Sequence, residues 1–363
     1  MFYRVIGLMS GSSLDGLDIC YAELNENGGQ WNYDIKAASC VPYEADWIKR
    51  LANASILSAQ DYLLLDVKYG RYIAEKINIF IDENKLHHQV QLIASHGHTV
   101  FHNPENGITS QIGNGATIAA LTEINVVSDL RIIDVALGGQ GAPIVPIGEK
   151  LLLGNHSYFL NIGGIANITI NTDDQFSAYD ICPANRVLNL LANEKGFQYD
   201  DAGKIAATGT VNTDLFKQLN ELKYYHLSAP KSLSNIFGTD IIYPLIKQSG
   251  INITDALATY VEHIAFQVKQ SIIFSKKDIN DNQTIMVSGG GAFNQFLIER
   301  LKYYLNPLSV DLVIPNDTLI NFKEALIMGL IGVLRWREEN NVLHSITGAL
   351  RSSIGGALWI GQE

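Results

Sequence analysis

The sequence predicts an α/β protein built of two similar domains, and three observations predict it. The chain has 363 residues, more than one ordinary core supports, since domains cluster at roughly 100–200 residues. Two apolar hairpins with glycine-bearing tips open two halves of similar length. In each half, strand, turn and helix then alternate, which is the grammar of layered α/β folds.

Taken in order, residues 3–9 are apolar and β-branched, 10–16 carry turn chemistry and 17–24 resume an apolar strand, so a hairpin with a polar tip opens the chain. Residues 45–54 and 60–84 place apolar side chains at helical spacing, with Leu63, Leu64, Val67, Tyr72, Ile73, Ile77 and Phe80 on one side. A strand over 92–95 ends in His96-Gly97-His98. A helix over 116–123 and a buried strand over 125–128 lead to Asp129 and Arg131. The run Gly138-Gly139-Gln140-Gly141-Ala142-Pro143 then marks the crossing between domains, because glycine admits unusual backbone angles and proline stops a helix.

The second half repeats the opening: strand 158–162, turn Gly163-Gly164, strand 167–170 and strand 176–180. Helical patterns follow at 186–194, 213–222 and 254–274. A strand over 284–287 runs into Ser288-Gly289-Gly290-Gly291 and a helix over 294–305, and a last helix covers 323–337. The expected domains are therefore 1–137 and 138–340, with a tail of about 341–363 packing back on the first.

Composition narrows the function. With 47% hydrophobic residues, 17% charged and nine prolines, the chain is a packed globular protein. Its 26 basic against 37 acidic residues give a net charge of -11, which repels a phosphate backbone and argues against nucleic acid as a partner. A phosphate ligand must then be gripped locally, by backbone N–H groups, helix N-termini or a divalent metal. Cys20, Cys40 and Cys182 have neither disulfide nor zinc spacing and fit a reducing compartment. The first residues lack a basic region followed by an apolar stretch, and no apolar run approaches ~18 residues. The expectation is a soluble cytoplasmic protein without membrane contact, with a homodimer as the default assembly.

Chemistry enters at Gly11-Ser12-Ser13-Leu14-Asp15-Gly16, on a hairpin tip. Dinucleotide and Walker loops require a helix directly after their glycines, and the Walker lysine–serine pair is missing, so both are disfavoured. A turn rich in N–H donors and hydroxyls embraces terminal phosphates, with Asp15 placed to hold magnesium directly or through water; the alternative is an ordinary surface turn. Gly163-Gly164 and the glycines after Ser288 add two more close approaches. Singly they mark turns; three in this order match a duplicated domain clamping a nucleotide.

The runs GLMSGSSLDGLD, ASHGHTVFH, QIGNGATIA, SDLRIIDVALGGQGAPIVP, NIGGIANIT, SGGGAFN and KEA resemble, in order, the signatures of the 1,6-anhydro-N-acetylmuramic acid kinases, from Gly7 to Ala325. The resemblance implies two RNase H-like domains of the actin/hexokinase superfamily with an ATP cleft between them. It also implies a reaction in which water opens the anhydro ring at C1 while ATP phosphorylates O6, yielding N-acetylmuramic acid 6-phosphate in peptidoglycan recycling. Nucleotide contacts then fall to Gly11, Ser12, Ser13, Leu14, Asp15, Gly16, Leu17 and Asp18, to Gly163, Gly164 and Asn167, and to Gly289, Gly290, Gly291, Asn294 and Glu324. His98, Thr99, Asn114 and Arg131 fall to the sugar, Arg131 to its lactyl carboxylate, for which a fork-shaped donor is suited. The general base that the attacking water needs is Asp180, ATP and Mg2+ are the implied cofactors, and phosphoryl transfer asks for little beyond alignment and charge neutralisation.

Structural alternatives stand beside these roles. Asp180 is also placed to cap the helix at 186, Arg131 to pair with Asp129 or Asp134, and Glu324 to serve as helix-start electrostatics. His96, His98 and His102 have a spacing that also admits a metal. Departures from the family pattern cluster on the sugar side: His98 replaces glutamine, Asn114 replaces aspartate, 181–185 reads ICPAN for TGPGN, and Leu233-Ser234-Asn235-Ile236 replaces Thr-Gly-Arg-Glu after Lys231-Ser232. Rival functions are a kinase of the same fold for a different sugar and a catalytically idle ATP-binding protein.

Overall fold

The computed structural model describes residues 1–363 apart from 12, 173–174, 230, 235, 276–282 and 362–363. Contacts divide it into two compact units, Met1–Gly154 with Phe322–Glu363, and Asn155–Asn321. Residues 138–143, where the crossing is expected, lie inside the first unit.

In the first unit β1 (Phe2–Ser10), β2 (Gly16–Asn27) and β3 (Gln30–Pro42) form an antiparallel meander. Helices α1 (Ala45–Ala52) and α2 (Ala59–Glu83) lead to β4 (Leu92–Asn103), which pairs parallel to β1. Next, β5 (Ile108–Ile112) folds back on β4, and α3 (Gly115–Thr122) carries the chain to β6 (Val126–Ser128), parallel to β4. Two short helices, α4 (Ile132–Ala136) and α5 (Pro146–Leu152), complete this stretch.

The core stripe of α2 is Leu65, Tyr69, Ile73 and Ile77, recurring every fourth residue as one helical face demands. Each such burial contributes about 1.5–3 kcal/mol. Leu63 and Leu64, expected on that face, are exposed. Leu63 lies two residues, about 200°, from Leu65 around the helix axis, so the two cannot share a stripe. Ser58 caps the helix by accepting the N–H of Asp61 at 3.2 Å.

The second unit repeats the plan. β7 (Tyr158–Ile162), β8 (Ile165–Thr172) and β9 (Gln175–Pro183) form the meander. After α6 (Asn185–Asn193), α7 (Thr213–Asn220), α8 (Tyr243–Gln248) and α9 (Ile253–Ser275), β10 (Gln283–Ser288) pairs parallel to β7. Past α10 (Gln295–Leu305), β11 (Val310–Val313) pairs parallel to β10. Tyr260, Val261, Ile264 and Val268 of α9 are fully buried under this sheet's core cluster.

From residue 322 the chain returns to the first unit within α11 (Asp317–Trp336), then forms α12 (His344–Thr347) and β12 (Ala357–Trp359), which pairs with β6. Gly7 of β1 makes room for α11: a Cβ there would lie 1.9 Å from the Ala325 carbonyl oxygen. Lys323 of α11 and Glu149 of α5 form a buried ion pair at 2.6 Å. The sheets run β12-β6-β4-β1-β2-β3 and β11-β10-β7-β8-β9. Each thus has a three-stranded antiparallel meander extended by parallel strands, the duplicated α/β pattern expected from the two hairpins. No helix among the described residues is long and apolar enough to cross a membrane.

Candidate active site

At the tip of the first hairpin, between β1 and β2, Ser13 donates to Asp15 Oδ1 at 2.7 Å and Leu14 takes a left-handed backbone with φ 59°. Ser12 lies outside the described residues. Gly16 is required by the fold, because a Cβ there would come 2.7 Å from the Val41 carbonyl oxygen of β3, whereas at Gly11 it would meet nothing closer than Ser13 Oγ at 3.3 Å. Leu17, expected beside the nucleotide, is buried as a whole residue and lies between Ser10 and Val41 in the sheet, so it presents almost no surface to a ligand.

Asp18 follows on β2, between Met9 and Cys40. Burial pushes its carboxyl up to about 6 against a hydrogen bond from the Cys40 thiol, and the charges of Asp15 and Glu324 add to the rise. Burial also raises Glu324, with Lys323 and Arg131 pulling the other way and Glu149 and Asp15 adding to it. Glu324 is the eighth residue of a helix that begins at Asp317, so its position is not explained by helix-start electrostatics. Asp15, Asp18 and Glu324 together form an acidic patch that a cation would relieve.

In the second unit, Gly163 and Gly164 link β7 to β8. A Cβ at either would find no atom closer than 3.7 Å, so neither packing nor left-handed geometry demands glycine. After β10, Gly289 has φ +78° and Gly291 presses on Ile162, where a Cβ would lie 2.2 Å from Cγ2; at Gly290 the nearest atom is Asn185 Nδ2 at 3.5 Å. Three of these glycines therefore tolerate a Cβ in ordinary van der Waals contact, and two are needed by the fold. Asn294 caps α10, accepting the Leu297 N–H at 3.0 Å.

Asp180 lies inside β9, opposite Asn167, which itself lies opposite Asn161 of β7. These three side chains form a polar row across the meander. Asp180 does not cap a helix, since α6 begins at Asn185 with Ala184 as its cap. Its Oδ2 accepts the Leu233 N–H at 2.8 Å, its carbonyl accepts the Tyr224 hydroxyl at 2.7 Å, and its own N–H donates to the Lys231 carbonyl at 3.1 Å. Burial raises its carboxyl above the usual range, and the Leu233 N–H counters part of that rise. A carboxylate fixed through one oxygen and primed to take a proton suits a general base. Asn161 and the Leu233 anchor escaped the sequence reading, because cross-strand register and loop position have no local signature.

On the sugar side, Arg131 does not pair with Asp129 or Asp134. Its Nε donates to His96 Nε2 at 2.9 Å and its Nη1 to the Gly141 carbonyl at 2.6 Å, while Asp134 binds the Gly141 N–H and the Thr347 hydroxyl. Burial pulls Arg131 down to about 10, with Glu324 and Asp134 opposing, so it stays cationic at neutral pH. A positioned guanidinium without a carboxylate of its own is ready for an anionic ligand. His96 donates from Nδ1 to the Gly97 carbonyl and accepts from Arg131 at Nε2. Both ring nitrogens are thus engaged, and among the described residues no three His, Cys, Asp or Glu side chains are grouped to hold a metal.

Asn114 caps α3: its Oδ1 accepts from the Thr117 N–H at 3.0 Å and the Thr117 hydroxyl at 2.8 Å, and its Nδ2 donates to Asp66 Oδ2 at 3.1 Å. One of the two N–H donors that asparagine adds over aspartate is therefore met by Asp66. Asn114, Asp66, His96, Asp129, Ser95 and Gln111 line a polar recess of about 250 Å³, in which Ser95 Oγ and Gln111 Oε1 are buried without a partner. His98 and Thr99 do not line it. Thr99 Oγ1 accepts from Gln111 at 3.4 Å, and His98 Nδ1 contacts Ser10 Oγ at 3.2 Å.

Residues 3–361 match the family model described as anhydro-N-acetylmuramic acid kinase. Similar curated proteins include the anhydro-N-acetylmuramic acid kinase of Sulfurimonas denitrificans, 31% identical, with 98% of each chain covered. Another is the anhydro-N-acetylmuramic acid kinase of Photobacterium profundum, 33% identical at the same coverage. Among solved structures, the activator of the 2-hydroxyisocaproyl-CoA dehydratase from Clostridium difficile with bound ADPNP aligns over 92% of this chain and 96% of its own, at 13% identity and a TM-score of 0.44.

Proposed function

We propose, from the premise that the chain belongs to the anhydro-N-acetylmuramic acid kinase family, that it is an ATP-dependent kinase acting on 1,6-anhydro-N-acetylmuramic acid. Water opens the anhydro ring, O6 is phosphorylated, and the product is N-acetylmuramic acid 6-phosphate, a step of cell-wall recycling. The observation that carries the mechanism is the Asp180 carboxylate, held by the Leu233 N–H through one oxygen and raised by burial.

Asp180 takes a proton from water, and the water oxygen bonds to C1 as the C1–O6 bond breaks. O6 then bonds to the γ-phosphorus of ATP and ADP departs with the electron pair of the broken P–O bond. Arg131 receives the lactyl carboxylate. In the first unit the Gly11–Asp18 hairpin binds phosphate; in the second, Gly163, Gly164 and Gly290 leave room for a nucleotide beside the backbone. Magnesium, when bound, supplies charge neutralisation of the phosphates. Asp15, Asp18 and Glu324 would hold it as Mg2+ that keeps much of its hydration; no three His, Cys, Asp or Glu residues among those described are grouped closely enough to chelate a metal directly. Three free cysteines support a reducing, cytoplasmic setting.

The test measures ADP release with and without 1,6-anhydro-N-acetylmuramic acid, in 18O-labelled water. Sugar-dependent ADP release with one solvent oxygen at C1 is expected. Turnover without that oxygen would overturn the hydrolytic ring opening, and ADP release indifferent to the sugar would overturn the substrate.

A further inference from the structure

The three glycines of the second unit that tolerate a Cβ converge on the start of α6. Asn185 donates its N–H to the Gly163 carbonyl at 3.0 Å and Ala184 donates to the Gly164 carbonyl at 2.8 Å, so the turn between β7 and β8 is tied to the start of the helix. A Cβ at Gly290 would find Asn185 Nδ2 at 3.5 Å, and one at Gly164 would find Arg186 Cβ and Nε at 3.9 Å. Arg186 therefore lies against the glycine turn.

The chain leaves this arginine unpaired. It is half-buried, its Nε is sealed from solvent without a hydrogen-bond partner, and its guanidinium makes no ion pair or hydrogen bond among the described residues. The other half-buried arginines are all engaged: Arg4, Arg300 and Arg337 by carboxylates, Arg131 by His96 and Gly141, and Arg335 by the Gly356 carbonyl. Carboxylates are not scarce, since the chain has 37 acidic residues against 26 basic. Arg186 is also the second residue of α6, whose first turn has no acidic residue and whose cap, Ala184, supplies no side-chain bond. A cation at that end opposes the helix dipole. Nη1 and Nη2, unlike Nε, are not sealed from solvent. A planar fork seated at its inner nitrogen, with two open nitrogens and no counter-ion, is completed by an anionic ligand.

We propose that Arg186 is a nucleotide-binding residue whose outer guanidinium nitrogens donate to phosphate oxygens of ATP and of the ADP it becomes. This rests on the reading above that a nucleotide passes beside Gly163, Gly164 and Gly290. Glycine turns let a phosphate chain approach the backbone closely, and the fork adds donors in a plane that matches a pair of phosphate oxygens. Binding turns an unpaired cation into a charge-assisted pair and sets negative charge near a helix start, where the dipole favours it. It also offsets locally the repulsion that a net charge of -11 exerts on a polyanion.

Calorimetry on the full-length protein compares the binding of ATP, ADP and adenosine to the unaltered chain and to Arg186→Met, which keeps an unbranched apolar stem. The Kd for ATP and for ADP should rise about ten- to hundredfold, the loss of a charge-assisted hydrogen bond, while adenosine, which has no phosphate, binds as before. The KM for 1,6-anhydro-N-acetylmuramic acid should be unchanged. The thermal midpoint should hold or rise, because methionine removes an unmet donor and a cation opposed to the helix dipole; an arginine with only a structural role would lower it on removal. Unchanged ADP affinity in Arg186→Met, or an equal loss for adenosine and ADP, would overturn the inference. If ADP binds through Arg186 but the unaltered protein does not turn over this sugar, the proposed function fails while the inference stands.

Discussion

The backbone N–H of Leu233 donates to Asp180 Oδ2 at 2.8 Å, which ties a strand carboxylate to a loop 53 residues further along the chain. β9 is the outer strand of its sheet, and the Asp180 N–H also reaches the Lys231 carbonyl at 3.1 Å. Residues 231–233 therefore extend the sheet by a short strand-like pairing at one point, where a side chain is to be held still. Tyr224 fixes the same residue from its carbonyl side.

Asp180→Asn should reduce kcat by about 10²–10⁴, the usual contribution of a general base, and leave ATP affinity unchanged, as read by steady-state kinetics and calorimetry. Because the base acts as a carboxylate and burial raises its pKa, kcat/KM should fall as pH drops through that raised value. Leu233→Pro deletes the N–H that favours the anion, so the acidic limb should move to higher pH in a protein whose circular dichroism is intact. A limb that stays in place would remove the Leu233 contact from the mechanism.

Arg131 is positioned by His96 and Gly141 rather than by a carboxylate. Arg131→Gln should raise the sugar KM roughly ten- to hundredfold, as loss of a charge-assisted hydrogen bond does. An analogue lacking the lactyl carboxylate should bind the unaltered protein and the variant about equally. If the variant discriminates between the two sugars as before, the carboxylate lies elsewhere.

Asn114 and Asp66 form a matched pair in which the amide donates to the carboxylate. Asn114→Asp keeps the helix cap but sets two carboxylates side by side, and urea unfolding at neutral pH should show a loss of about 1 kcal/mol, the scale of one hydrogen bond. Adding Asp66→Asn should restore it, because the donor and acceptor then exchange places. Restored stability would show that asparagine at 114 answers to Asp66 rather than to a changed sugar.

The duplicated hairpins, the glycine turns and the long α2 and α9 helices were legible because each carries a local signature. β3 was not, since its side chains are mostly exposed or half-buried and leave little apolar alternation, and β11 has only four residues. The start of α11 was placed late: Asn316 caps it, accepting the Leu319 N–H at 2.9 Å, before the dense apolar run begins. Site residue types were visible, but their partners were not. Whether Asp180 caps a helix or Arg131 pairs with Asp134 depends on register and on contacts distant in sequence, which no short window of residues contains.

The glycines show the same limit and offer the sharpest separation of roles. All five at 163, 164, 289, 290 and 291 look alike in sequence, yet only Gly289 and Gly291 are demanded by the chain itself. Gly291→Ala would drive a Cβ into Ile162, overpacking a buried position at a cost of about 1–3 kcal/mol; Gly289→Ala adds left-handed strain and a clash with the Ile162 carbonyl. Both should lower the thermal midpoint. Gly163→Ala, Gly164→Ala and Gly290→Ala meet no atom closer than 3.5 Å, so they should leave the midpoint unchanged or slightly raised. If a nucleotide passes beside those backbones, the same three methyl groups must raise the KM for ATP in protein that is as stable as before. Unchanged ATP kinetics in all three would show that no nucleotide passes beside these backbones.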